Sequence, residues 1–235
     1  MTHLIEQWQR PANVVAVQTT QSLNSHNHFS VHPSESKPPL IKQLMLNFDM
    51  PHEPMFLHQV HDNNIVEYHC QPEMQMQIQA DACFTRLPNV ICAIMTADCL
   101  PVLLTDTKGS FIAAIHCGWR SLYANILLKT LSTISPSHDV LAWLGPCIQQ
   151  AQYEVGADFV DRYVNKHPET RHAFTPVAGG KSLADLNLLA TSQLKQAGVQ
   201  YIEKDLRCTL LDPDFYSWRQ NQTTSRMATL AWLNN

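Results

Sequence analysis

Three short segments of this 235-residue chain carry residues able to do chemistry at the ends of apolar runs. They are His58-Gln59-Val60-His61, Thr96-Ala97-Asp98-Cys99-Leu100-Pro101, and Ala113-Ala114-Ile115-His116-Cys117-Gly118-Trp119-Arg120. A strand that stops at Asp98-Cys99 just ahead of Pro101 puts a polar pair where burial without partners would cost several kcal/mol, so a site is the economical explanation. His61, Cys99 and His116 match the open donor set of catalytic zinc, three protein ligands with a fourth position left over, whereas structural zinc is closed by four. The same residues could instead form a Cys–His nucleophile pair, with Cys99 attacking and His116 or His61 as base. Residue type alone favours a plainer outcome: a loop histidine, an inert core thiol and a strand-end histidine bonded to backbone.

The elements that must position these residues are legible as apolar runs. Residues 80–85, 90–96, 101–105 and 111–116 form a dense apolar series that predicts buried strands. Residues 14–19, 55–59, 65–68, 140–144, 201–208 and 227–232 read as further strands. Trp119, Leu122, Tyr123, Ile126, Leu127, Thr130, Leu131 and Ile134 fall at helical spacing and predict one amphipathic helix after His116. Residues 38–48 and 157–165 are two more helices, and Asp185 N-caps another that stops at Gly198. Residues 21–36 are polar, rich in histidine and aperiodic, which predicts a long loop beside the site. Strands outnumber helices without strict βα alternation, which predicts an α/β fold with mixed sheets and outer helices rather than a Rossmann fold. Neither GxGxxG nor GxxxxGK[ST] occurs. With no internal repeat and no Gly/Ser linker, residues 1–235 read as a single domain.

Composition narrows the function classes. Sixteen Lys+Arg against 20 Asp+Glu give a net charge of −4, and no basic run occurs, so no nucleic-acid partner is expected. Twelve histidines favour site chemistry without locating it. Seven cysteines, an odd number without a CxxC pair, argue for reduced thiols over a disulfide framework or a zinc ribbon. No signal-peptide pattern and no apolar run of about 18 residues is present, so a cytoplasmic protein without a membrane partner is the expectation; a monomer is expected as well.

Taken together, QVH at 59–61, ADACFT at 80–85, TADCLPVLL at 96–104, HxGWR at 116–120, LGPCI with YEVG at 144–156, and the closing CT, DFYSWR and TSRMATLAWL segments resemble the YfiH/laccase-domain family. Its members are called multicopper polyphenol oxidase, purine nucleoside phosphorylase or peptidoglycan editing factor, and the resemblance covers residues 11–235. It implies a single-domain four-layer α/β/β/α sandwich similar to the catalytic domain of cytotoxic necrotising factor. It also implies Zn2+ held by His61, Cys99 and His116, with copper the less favoured metal. The implied activity is phosphate-dependent cleavage of adenosine, inosine, guanosine and methylthioadenosine, together with adenosine deamination. Purine nucleoside and phosphate are then the partners.

Within the resembling segments, Arg120, Arg219 and Arg226 are forked cations able to hold an anion. Arg120 could equally form a salt bridge or cap its helix. Gln59 is a candidate for base or ribose, or a plain strand-end hydrogen bond. Asp98 joins His61, Cys99 and His116 in the catalytic set as a carboxylate orienting a ligand histidine or a substrate hydroxyl, its alternative being a turn cap before Pro101.

The chain also departs from the family pattern. Thr19-Thr20-Gln21-Ser22-Leu23-Asn24 stands where members carry a Gly-rich TTR-GG-S stretch, Cys117 and Ser121 replace an Ala and a Gly of HAGWRG, and residues 219–226 replace RRDG.TGR. An Arg, an Asp and flexible backbone are lost near the anion site while the zinc set is intact. Weak phosphorolysis with retained adenosine deamination is therefore expected, with His26, His28 or His32 as replacement cations. Three rival functions use the same residues or none of them: an amide hydrolase editing muramyl-amino-acid peptidoglycan precursors, a copper polyphenol oxidase, and a non-catalytic binding protein. The oxidase needs several His-rich copper sites and only one cluster is visible. No exposed amphipathic surface supports the binding protein.

Overall fold

Apolar runs become central strands here because both faces of the larger sheet are covered, leaving no solvent face to impose alternation. The structure, a computed structural model, describes residues 2–23, 26–72 and 78–235. In chain order the strands are β1 (His3–Leu4), β2 (Val14–Gln18), β3 (Ser22–Leu23), β4 (His26–Asn27), β5 (Ile65–Glu67), β6 (Ala82–Thr85), β7 (Cys92–Thr96), β8 (Leu100–Asp106), β9 (Ile112–Cys117), β10 (Val140–Leu144), β11 (Glu154–Gly156), β12 (Phe174–Val177), β13 (Lys181–Ala184), β14 (Tyr201–Lys204) and β15 (Met227–Leu233). The helices are α1 (Pro38–Asn47), α2 (Trp119–Tyr123), α3 (Ile126–Ile134), α4 (Ala157–Lys166), α5 (Leu186–Gln196) and α6 (Trp218–Asn221).

A six-stranded mixed sheet runs β14-β10-β8-β9-β6-β5, and a four-stranded antiparallel sheet runs β1-β2-β15-β7. Side chains alternate along β8 with period two. Leu103 faces a cluster that includes Ile94 of β7 and Ala231 of β15, so it packs between the two sheets. Val102 and Leu104 face the opposite way, against Leu122, Leu127, Leu189 and Leu194 of α2, α3 and α5. On the far side of the smaller sheet, Ala93 and Leu230 pack with Ile41 and Leu44 of α1. No described helix is long and apolar enough to cross a membrane.

Several expectations change in detail. The segment after His116 is two helices, because Asn125 takes a left-handed conformation at φ 61° and Ala124 ends α2 ahead of it. Residues 55–59 contribute a single bridge, His58 to Gln79, in place of a strand. The strand at 201 stops at Lys204, after which Asp205 turns to bind the Arg207 guanidinium at 2.6 Å. Residues 21–36 include the β3–β4 ribbon, and β11-β13-β12 make a small separate sheet that no periodicity announced. Asn24 and the side chain of His26 lie outside the described residues. Asp185 accepts from the Leu188 N–H at 2.9 Å and caps α5, as its position predicts.

Candidate metal centre and cavity

The antiparallel pairing of β8 with β9 sets Pro101 opposite His116 and Leu100 opposite Cys117, so the loop ending in Cys99 meets the end of β9. His61 arrives from a separate turn, also left-handed at φ 60°. One carboxylate builds both positions. Asp81, wholly buried just ahead of β6, accepts from His116 Nδ1 at 2.7 Å and from the backbone N–H groups of Val60, His61 and Asp62 at 3.1, 2.9 and 2.9 Å. The His116 bond fixes a tautomer with Nε2 available as a ligand. The three backbone bonds fix the turn that presents His61.

The ligand atoms of His61, Cys99 and His116 all lie within 4.8 Å of one another, with Cys99 Sγ 4.0 Å from His61 Nε2. The two imidazoles meet edge to face at 4.7 Å. Gly118 suits this crowding: a Cβ there would lie 3.0 Å from His61 Cδ2 and 3.3 Å from Cys99 Sγ, so the ligand side chains would have to give way. Burial alone would raise the Cys99 thiol, but the His116 charge and hydrogen bonds from His116 and His61 overcome it and bring the pKa down to about 6. Burial would lower His116, yet the Cys99 thiolate and Asp81 lift it to about 9. For Asp81, burial is outweighed by hydrogen bonds from His116 and the backbone, which hold its carboxyl below the ordinary value. A thiolate and two imidazoles gathered without a fourth protein donor fit the open zinc pattern, and this is the one such cluster among the described residues.

The cluster opens into a cavity of about 760 Å³, a size suited to a small molecule. Trp119, Arg120, Tyr153, Trp218 and Arg219 line it, as do His32, Phe56, Gln59, Asp98 and Arg226. Three guanidinium groups therefore face a single lining carboxylate, and that carboxylate is already engaged. Asp98 accepts from the Thr209 hydroxyl at 2.7 Å, the Ser217 hydroxyl at 3.0 Å and the Arg219 N–H at 2.6 Å. It ties the 209–219 segment to the Cys99 loop and touches neither ligand histidine; the carboxylate expected there is Asp81. Gln59 spends both ends of its amide on the Met95 backbone, at 2.8 and 2.7 Å. Arg120 stacks on Trp119 at 4.5 Å and Arg219 on Tyr153 at 5.2 Å. Arg226 gives Nη1 to the carbonyls of Thr223 and Ser225, both at 2.8 Å. Asp81, Tyr153 and Trp218 were not singled out from sequence. Asp81 had a signal, since it interrupts an apolar series just as Asp98 does.

Comparison with known proteins shows the family and the fold. Residues 15–234 match the family model described as multi-copper polyphenol oxidoreductase laccase. A purine nucleoside phosphorylase of Pseudomonas aeruginosa is 36% identical over 248 residues, covering 99% of this chain and 98% of the relative. The Escherichia coli protein named purine nucleoside phosphorylase YfiH is 34% identical over 98% of both chains. A crystal structure of a Neisseria meningitidis protein superposes with a TM-score of 0.87 at 32% identity, covering 100% of this chain and 99% of the other. The chain belongs to the laccase-like YfiH family.

Proposed function

We propose that this protein is a zinc-dependent purine nucleoside phosphorylase that also cleaves methylthioadenosine and deaminates adenosine. The observation that carries the reading is the junction of an open His–Cys–His cluster with a cavity lined by three guanidinium groups. Relatives at 34–36% identity named purine nucleoside phosphorylase support it. A metal held by His61, Cys99 and His116 supplies Lewis-acid polarisation.

The chain's own groups do the rest. Asp81 holds His116 in one tautomer and the His61 turn in place, so the cluster is preorganised. Arg120, Arg219 and Arg226 offset the charge of phosphate, whose oxygen forms a bond to ribose C1′ while the C1′–N9 bond breaks and its electron pair leaves with the purine. In deamination water adds at C6 and ammonia leaves, with no anion consumed. Tyr153, Trp119 and Trp218 offer apolar faces for the base. We further assign the chain to one domain with α/β/β/α layering like the cytotoxic necrotising factor catalytic domain, and to a monomeric cytoplasmic protein.

An amide-hydrolase reading draws on one specific observation, the Cys99 thiol lowered to about 6 beside two imidazoles. The copper-oxidase reading lacks further His-rich clusters among the described residues. Metal analysis followed by adenosine assays with and without phosphate separates these. Adenine release that needs both phosphate and zinc is the expected result, and a fully active metal-free protein would favour Cys99 as nucleophile.

A further inference from the structure

Two cationic or donor side chains at the cavity are clamped together by backbone contacts that serve no strand or helix. Ser30 is buried, and its hydroxyl accepts from the backbone N–H of His32 at 3.2 Å and of Arg226 at 3.1 Å. Val31 N–H also donates to the Arg226 carbonyl at 3.1 Å. Glu35 completes the clamp by accepting from the Thr224 and Ser225 hydroxyls. It makes no ion pair with His32 or Arg226 among the described residues.

The donors left over are specific. Ser34 N–H donates to His32 Nδ1 at 3.3 Å, and the Ser34 hydroxyl sits 2.8 Å from the same atom, so a neutral His32 carries its proton on Nε2. Neither Nε2 of His32 nor Nε and Nη2 of Arg226 has a protein partner among the described residues, and both side chains line the cavity. Arg120 and Arg219, in contrast, lie over aromatic rings.

We propose that His32 and Arg226 form the oxyanion subsite of the cavity, with the His32 Nε2–H and the free Arg226 N–H groups as donors to inorganic phosphate. The choice of phosphate rests on the phosphorylase reading; the oxyanion chemistry of the pair does not. Burial and the neighbouring Arg226 charge lower the His32 pKa, against a smaller opposing pull from Glu35, consistent with a neutral donor at pH 7.

Isothermal titration of the purified protein with inorganic phosphate tests this, alongside His32→Ala, His32→Gln, Arg226→Ala and Arg120→Ala. A hydrogen bond to a charged group implies that His32→Ala and Arg226→Ala each weaken phosphate about tenfold or more. His32→Gln, which keeps an N–H donor, should recover part of the loss, and Arg120→Ala should weaken phosphate less than either. Wild-type affinity in His32→Ala, or no phosphate binding by the parent protein, overturns the subsite. If the parent binds phosphate through this pair yet releases no purine from any nucleoside, the phosphorylase reading fails and the oxyanion subsite stands.

Discussion

At the scale of single residues, Asp81 is the carboxylate on which both histidines of the cluster depend, so its replacement should act on metal before it acts on fold. Asp81→Asn is expected to weaken zinc about 10–100-fold, the usual consequence of losing the group that orients a ligand histidine, read by competition with a chromogenic chelator. Cys99→Ser and His116→Ala should each lose the single equivalent of zinc expected in the purified protein; retention of zinc by both would remove these residues from the ligand set. Gly118→Ala forces a Cβ to within 3.0 Å of the His61 ring and 3.3 Å of Cys99 Sγ, and should weaken the metal with little change in secondary structure by circular dichroism. In chelator-treated protein, the half-buried Cys99 thiol, lowered to about 6, is expected to be a thiolate at neutral pH. Its alkylation by iodoacetamide, followed by peptide mass spectrometry, should fall as pH drops through about 6, where an ordinary cysteine is already unreactive below about 8.5. Added zinc should suppress that alkylation at pH 7.

At the scale of elements, the 209–219 segment reaches the site through Asp98. Asp98→Ala leaves the Thr209 and Ser217 hydroxyls and the Arg219 N–H without their acceptor, and should cost about 2–4 kcal/mol by chemical denaturation while leaving zinc content unchanged. Loss of zinc from that variant would instead give Asp98 a role at the metal. The central strands were legible because they are buried on both faces and therefore appear as unbroken apolar runs. The Asp185 cap was legible because capping is local. The break at Asn125 was not: the apolar spacing of α2 and α3 continues across it, and only Ala124 and the left-handed Asn125 separate them. The same limit explains the site. Cys99, His116 and His61 were visible as polar residues at strand ends, but which carboxylate met which histidine depended on strand pairing across distant segments, and Asp81 rather than Asp98 meets His116. The bonds of Gln59 to Met95 and of Ser30 to Arg226 are likewise long-range contacts without any local signature.

At the scale of the whole molecule, two sheets and their flanking helices bring segments from near residues 30, 60, 99, 116 and 226 to one cavity. Deamination consumes no anion, so formation of inosine from adenosine should not vary with phosphate. Phosphorolysis should vary with it, and through the same metal. The most direct test is adenine release from adenosine across a phosphate titration, on protein as purified, after chelation, and after return of zinc. Zinc-dependent phosphorolysis predicts release that saturates with phosphate, is lost on chelation and returns with zinc. Release unaffected by chelation, or no release at any phosphate concentration, would contradict it.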